Sequence, residues 1–391
     1  MRYNFDKVID RSGTSAEKVE GLKHIWGRTD LIPLWVADMD FATAPFVTDA
    51  IRKRCENEVL GYTGKPDSYY NAIINWVKQR YDLIVTKEVI NFVPGIVPGI
   101  GMAMNCFTQK GDKVMIQPPV YHPFAWVTTR NERTLVTNPL KWENGMYRMD
   151  LDTFREQIKG CKLFILCNPH NPGGVVWTEA ELRAIADICY DEKVLVFSDE
   201  IHADLTLPPH THRPFATVSE KARMNSVTFM SPSKAFNMPG LSASHALIFN
   251  EDLRKRFRIY MDAGELDMGH VFAFLSVEAA YSHGTEWLDQ CLAYIQGNID
   301  FVDEFLKKHA PKIKAIRPEA SYLVWLDCRE LELSQKDLNE FFVDKAHLAL
   351  NDGEMFGKEG IGFMRLNVAS PRCIIEKAMK QLADAYQLYI K

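Results

Sequence analysis

Ser226-Val-Thr-Phe-Met230 runs without a break into Ser231-Pro-Ser-Lys-Ala-Phe-Asn-Met-Pro-Gly240. The first five residues read as a β-strand. The next ten are a turn carrying one lysine, Lys234, with hydroxyls at Ser231 and Ser233. A lysine directly after an apolar strand sits near the carboxyl end of a sheet strand, where ligands of open α/β sheets collect. There a partly desolvated amine has a lowered pKa and can condense with an aldehyde. The two serines beside it suit the oxygens of a phosphate.

Outward from this stretch, short apolar runs bounded by Gly, Pro and Asn alternate with segments of helical period. Residues 89–93, 113–116, 163–167, 194–198, 226–230 and 245–249 read as strands. Most are apolar throughout, as expected where helices cover both faces of a sheet. In 178–191, Thr178 and Glu181 form a capping box, and Leu182, Ile185, Ala186 and Cys189 line one face. Strands alternating with helices predict an α/β fold with a largely parallel sheet. The pattern changes after residue 250. Helical sequence dominates 251–308, followed by a strand at 322–326, a helix at 335–346, a strand at 363–368 and a helix at 372–389. These features predict a second, smaller α+β domain joined by one long helix near 285–308.

Three further strand ends carry polar groups. Ser198-Asp-Glu-Ile-His202 follows the run VLVF, and places Asp199 where a carboxylate could face a cofactor nitrogen, with His202 behind it. Asn168-Pro-His-Asn-Pro-Gly-Gly174 is a rigid turn from which Asn171 can donate to an oxygen of a bound group. Pro94-Gly-Ile-Val-Pro-Gly99 joins a strand to an apolar helical stretch, and the N–H groups of Ile96 and Val97 would meet a phosphate at the start of that helix.

In order and spacing these pieces resemble the fold type I, aspartate-aminotransferase-like enzymes that use pyridoxal 5′-phosphate (PLP). The resemblance covers essentially the whole chain. It implies a mostly parallel seven-stranded sheet flanked by helices, with a smaller α+β domain. It also implies that the cofactor is held as a Schiff base on Lys234, with Asp199 on the ring nitrogen. Tyr121, in Pro118-Pro-Val-Tyr121, takes the position of the aromatic that stacks on the ring and is a candidate for proton movements at the leaving group. Arg365, in Gly362-Phe-Met-Arg-Leu-Asn367, takes the position that holds the substrate α-carboxylate, a task suited to a guanidinium fork. Tyr62 falls where the family sends a tyrosine across a homodimer interface to the phosphate of the neighbouring site.

Within the family the chain resembles the MalY/PatB-type cystathionine β-lyases, or C–S lyases. Asn4–Arg11 and Pro33-Leu-Trp-Val-Ala-Asp-Met-Asp-Phe41 carry this likeness, and the second block makes Ala37 a substrate contact. Segment 15–19 departs from it by lacking an aromatic. Many aminotransferases carry a phosphate-binding arginine eight residues after the lysine, whereas this chain has Ser242. That favours β-elimination to a thiol, pyruvate and ammonia over transamination. The alternatives are a class I/II aminotransferase, and a non-catalytic PLP-binding regulatory protein, which would need a DNA-binding segment ahead of residue 1.

The 391 residues are 47% apolar, enough for a sizeable core. They divide into a large cofactor-binding domain, 46–285, and a small domain, 1–45 with 286–391. The net charge is −5, with both signs scattered, which gives no footprint for nucleic acid or an anionic membrane. Eight cysteines form no C-x-x-C pair and no cluster with histidine, so no metal site is expected and a reducing compartment is. The charged N-terminus lacks a signal-like apolar run, and no stretch approaches a membrane span, so the expected location is cytoplasmic.

Overall fold

The apolar runs assemble into one sheet in the computed structural model, which describes residues 2–389. Its strands are β1 (Ile90–Val93), β2 (Lys113–Ile116), β3 (Thr134–Thr137), β4 (Cys161–Cys167), β5 (Leu195–Asp199), β6 (Ser226–Met230) and β7 (Ser244–Leu247). Seven strands lie in the order β1-β7-β6-β5-β4-β2-β3. Neighbours from β6 to β3 are parallel, and β7 runs antiparallel to both β6 and β1. The sheet is therefore mixed, with one reversed strand. Strand β3 carries no apolar signal of its own: Thr134 and Thr137 are exposed at the sheet edge and only Leu135 and Val136 are half-buried.

Leu163, Phe164, Ile165 and Leu166 of β4 are all buried, because helices cover both faces of the sheet. One such face is α2 (Glu179–Asp191), whose capping box at Thr178 and Glu181 forms as its sequence predicts. Leu182, Ile185, Ala186 and Cys189 of α2 are buried. Burying each large aliphatic side chain of this kind stabilises the fold by about 1.5–3 kcal/mol. The basic run after residue 250 is partly tied down rather than only solvated: Arg254 donates to the Ile248 and Phe249 carbonyls, and Arg258 to Asn91 and the Glu88 carbonyl.

A second sheet contains β8 (Lys314–Ile316), β9 (Leu323–Asp327), β10 (Asn351–Asp352) and β11 (Phe363–Asn367), in the antiparallel order β8-β9-β11-β10. Helix α3 (Thr285–His309) spans 25 residues and packs against α4 (Arg372–Tyr389) and β8. The expected helix 335–346 is shorter, because α-helical geometry ends at Glu340 and Phe341–Lys345 forms a π turn. Among the described residues, no helix is long and apolar enough to cross a membrane. The outermost positions of the expected small domain, residues 1, 390 and 391, lie outside the described residues.

Candidate active site

Parallel strands end at the same edge, so β4, β5 and β6 deliver their following loops side by side. Cys167 at the end of β4 is in register with Asp199 at the end of β5, and Asp199 with Phe229 of β6. Asn171, Asp199 and Lys234 are thereby brought to one place from three separate motifs. Strand β1 ends at the same edge, and the reversed β7 begins there, with Ser244 opposite Val93. The result is a cavity of about 240 Å³ lined by Ala37, Gly95, Ile96, Val97, Tyr121, Cys167, Asn171, Asp199, His202, Ser233, Lys234, Ser242 and Ser244, among others.

At one side of this cavity starts α1 (Ile96–Phe107). Gly95 precedes it at φ 107, a backbone conformation that glycine adopts freely. The N–H groups of Ile96 and Val97 lie in the first turn, which has no intrahelical acceptors for them. The hydroxyl-bearing residues Ser233, Ser242 and Ser244 line the same cavity. Ser231 departs from its expected place. Its hydroxyl donates to the Ala243 carbonyl at 2.8 Å and accepts the Ser233 N–H at 3.1 Å, so it shapes the lysine turn and does not line the cavity.

Asp199 is buried, and one carboxylate oxygen accepts the Ile201 N–H at 3.1 Å. Burial pushes its pKa up to about 7, since a desolvated carboxylate without a bonded cation is held toward its neutral form. His202 is buried in the same cavity, its Nδ1 without a hydrogen-bond partner among the described residues, and burial pushes its pKa down to about 3. Lys234 donates from Nζ to the Ala37 carbonyl at 2.5 Å, and burial lowers its pKa to about 8. The same carbonyl accepts the Tyr322 hydroxyl at 2.9 Å. Tyr121 lines the cavity edge-on to Phe124, its phenol pushed up by burial.

Arg365 lies in β11 and reaches the cavity through Asn171, a residue of its lining to which it is bonded. It is 3% exposed and donates to Asn171 Oδ1 at 3.0 Å, to the Trp35 carbonyl at 3.1 Å and to Asn351 Oδ1 at 2.5 Å. Phe356 faces its guanidinium at 4.8 Å, and burial lowers its pKa to about 10. Since Asn171 Oδ1 is engaged by Arg365, its remaining polar group is the Nδ2 amide.

The block 33–41 is a strap around this site. Asn367 Nδ2 holds the Val36 and Asp38 carbonyls at 2.7 and 2.6 Å, on either side of Ala37. Asn237 of the lysine turn holds the carbonyls of Met39 and Phe41. In the departing segment 15–19, Lys18 is fully buried and pairs with Asp40 at 2.8 Å, next to Arg11 on Asp38. Tyr62 is not brought to this cavity: it is 97% exposed. Tyr322, Asn351 and the Trp35 carbonyl escape a reading of the sequence, because each meets the site only through contacts with residues far along the chain. Among the described residues, no cluster of three metal-binding side chains occurs.

A family model described as aminotransferase class I and II matches residues 29–382. The chain is 38% identical over 384 residues to the cystathionine beta-lyase PatB of Bacillus subtilis (strain 168), covering 98% of this chain and 99% of that protein. Cystalysin from Treponema denticola, solved with a pyridoxal 5′-phosphate cofactor, matches at a TM-score of 0.96 and 33% identity, covering 100% of both chains. The PLP-bound C–S lyase from Staphylococcus hominis matches at a TM-score of 0.91 and 35% identity, covering 98% of each chain.

Proposed function

The chain belongs to the class I and II aminotransferase family, and from that premise we infer a PLP-dependent C–S β-lyase that converts cystathionine- or cysteine-type amino acids and water to a thiol, pyruvate and ammonia. The observation that carries this reading is the meeting of Lys234, Asp199 and the α1 N-terminus in one cavity, in a chain similar over its whole length to named C–S lyases.

The cavity fits the cofactor by its unmet needs. Asp199 is a buried carboxylate awaiting a cation, which a protonated ring nitrogen provides. The N–H groups of Ile96 and Val97 await an anion at the start of α1, and Ser233 lines the same cavity. Asn171 Nδ2 is available to an oxygen, Tyr121 and His202 supply flanking rings, and Lys234 supplies the amine. Bound there, PLP contributes an aldehyde that condenses with amines and a ring that accepts the electron pair released at the substrate Cα.

The chain's own groups then have separate tasks. Arg365 takes the α-carboxylate, which brings a negative charge to a guanidinium surrounded by neutral acceptors. The Ala37 carbonyl holds the Lys234 amine, whose lowered pKa suits it to take a proton from Cα. Asp199 keeps a proton at the ring nitrogen, and Tyr121, in the cavity lining, is the candidate to pass one to the departing sulfur. Ser242 lines the cavity wall, and the absence there of the arginine that related aminotransferases carry favours the lyase over the aminotransferase reading.

We assign residues 46–285 to the cofactor-binding domain, and 1–45 with 286–391 to the small domain. The parallel pairing of Ile32–Pro33 with Leu348–Ala349, just ahead of β10, supports grouping the start of the strap with the small domain. A homodimer is supported by the exposed apolar loop bearing Val59 (72%), Leu60 (58%) and Tyr62 (97%); in a dimer, Tyr62 would serve the neighbouring site. Eight free cysteines support a cytoplasmic location. The test is incubation with cystathionine and no added keto acid. Equal amounts of pyruvate, ammonia and thiol are expected. Transamination with 2-oxoglutarate in the absence of any pyruvate from sulfur amino acids would replace this reading with the aminotransferase.

A further inference from the structure

We propose that Asn351 is a positioning residue for recognition of the substrate α-carboxylate, bracing Arg365 with a neutral amide so that the guanidinium charge is left for the substrate. The proposal rests on the reading that Arg365 takes that carboxylate.

Asn351 is half of the two-residue strand β10, and it stands directly across from Arg365 in the antiparallel pair β10–β11. Residues so paired project on the same face with their side chains in contact. Asn351 Oδ1 accepts from Arg365 Nη2 at 2.5 Å, and the same nitrogen donates to the Trp35 carbonyl at 3.1 Å. With Nη1 on Asn171 Oδ1 at 3.0 Å, the guanidinium plane is fixed by three acceptors, all of them neutral. Its Nε is buried with no hydrogen-bond partner among the described residues.

The orientation of the Asn351 amide is set by its surroundings. Its Nδ2 donates to the Met355 thioether at 3.5 Å, and the residue is 7% exposed. The adjoining Asp352 is held by Gln335 at 2.5 Å and Asn339 at 2.6 Å, which anchors the short strand. Asn and Asp have nearly the same shape. An aspartate here would place a full negative charge on Nη2, pair permanently with Arg365 and compete with every carboxylate that enters. The amide fixes the same geometry without neutralising the cation.

The experiment compares wild type, Asn351→Ala and Asn351→Asp holoenzymes. It reads kcat and KM for cysteine, the inhibition constant of 3-mercaptopropionate (cysteine without its amine), calorimetric binding of that acid, and thermal melting as a folding control. For Asn351→Ala we expect KM and the inhibition constant to rise together by about tenfold, the size of one lost charge-assisted bond. For Asn351→Asp both rise by about a hundredfold or more, with kcat at saturation within about threefold and melting unchanged. Equal effects of Ala and Asp would overturn the proposal, because neutrality would then not matter. So would wild-type KM and acid binding in Asn351→Asp. Wild-type enzyme that fails to bind 3-mercaptopropionate at all would overturn the role of Arg365, and this inference with it.

Discussion

Two residues in the cavity carry opposite shifts for one reason. Burial disfavours charge, so Asp199 rises to about 7 and Lys234 falls to about 8. An ordinary lysine has a pKa of about 10.4, so at pH 7 fewer than about one in a thousand amines are neutral, against about one in ten at a pKa of about 8. The rate at which cofactor-free protein captures PLP should therefore rise about tenfold per pH unit and level off near pH 8, as followed by stopped-flow absorbance. Borohydride reduction should then fix the cofactor to the Lys234 peptide; an adduct on another lysine would dismiss the assignment. Asp199→Ala should retain bound cofactor yet lose turnover by about a hundredfold or more, since it removes a preorganised charge. Near-normal turnover in that variant would show that another group serves the ring nitrogen.

At the scale of elements, the site depends on where strands stop and one helix starts. Gly95 at φ 107 turns the chain so that the α1 N-terminus faces the cavity. Side chains disfavour that conformation, with strain of about 1–3 kcal/mol. Gly95→Ala should therefore lower the melting temperature and weaken PLP affinity by about tenfold, measured by titrating cofactor-free protein. Unchanged affinity would mean that the helix start does not hold the phosphate. The strap 33–41 acts differently: it has little regular structure, and side chains from Asn237, Asn367, Tyr322 and Arg365 hold its carbonyls. The motif around it was legible as a family likeness, but its bonding was not, since backbone carbonyls leave no mark in a sequence.

Across the whole molecule, the core holds histidines in uncharged form. His245 in β7 lies opposite Met230 and Phe92, with neither ring nitrogen hydrogen-bonded among the described residues, and burial pushes its pKa down to about 3. The unfolded chain, at about 6.5, takes up that proton first as pH falls. The native state should thus lose stability from pH 6.5 down to about 3, by up to about 1.4 kcal/mol per pH unit from this residue. His245→Met should flatten the pH dependence by that amount, read from urea unfolding at pH 7.5, 6 and 5; an unaltered slope would count against a neutral native His245. The exposed loop with Tyr62 makes a second prediction at this scale. Sedimentation should give a dimer at micromolar concentration, and Tyr62→Phe should loosen PLP without dissociating it. A fully active monomer would refute shared sites.

What the sequence determined by itself was local. Apolar runs fixed six of the seven large-sheet strands, the capping box fixed the start of α2, and the four strand-end motifs named Lys234, Asp199, Asn171 and the Ile96–Val97 turn, which do meet in one cavity. Each is a property of residues within a few positions of one another. The tertiary structure decided what depends on neighbours far along the chain. It made β3 a strand, because pairing with β2 supplies the hydrogen bonds that its threonines do not advertise. It reversed β7, turned Ser231 away from the cavity, and set Asn351 across from Arg365 through a strand of two residues. Register and strand direction are settled by which edges remain unpaired once the core is buried, and that is a condition on the whole molecule.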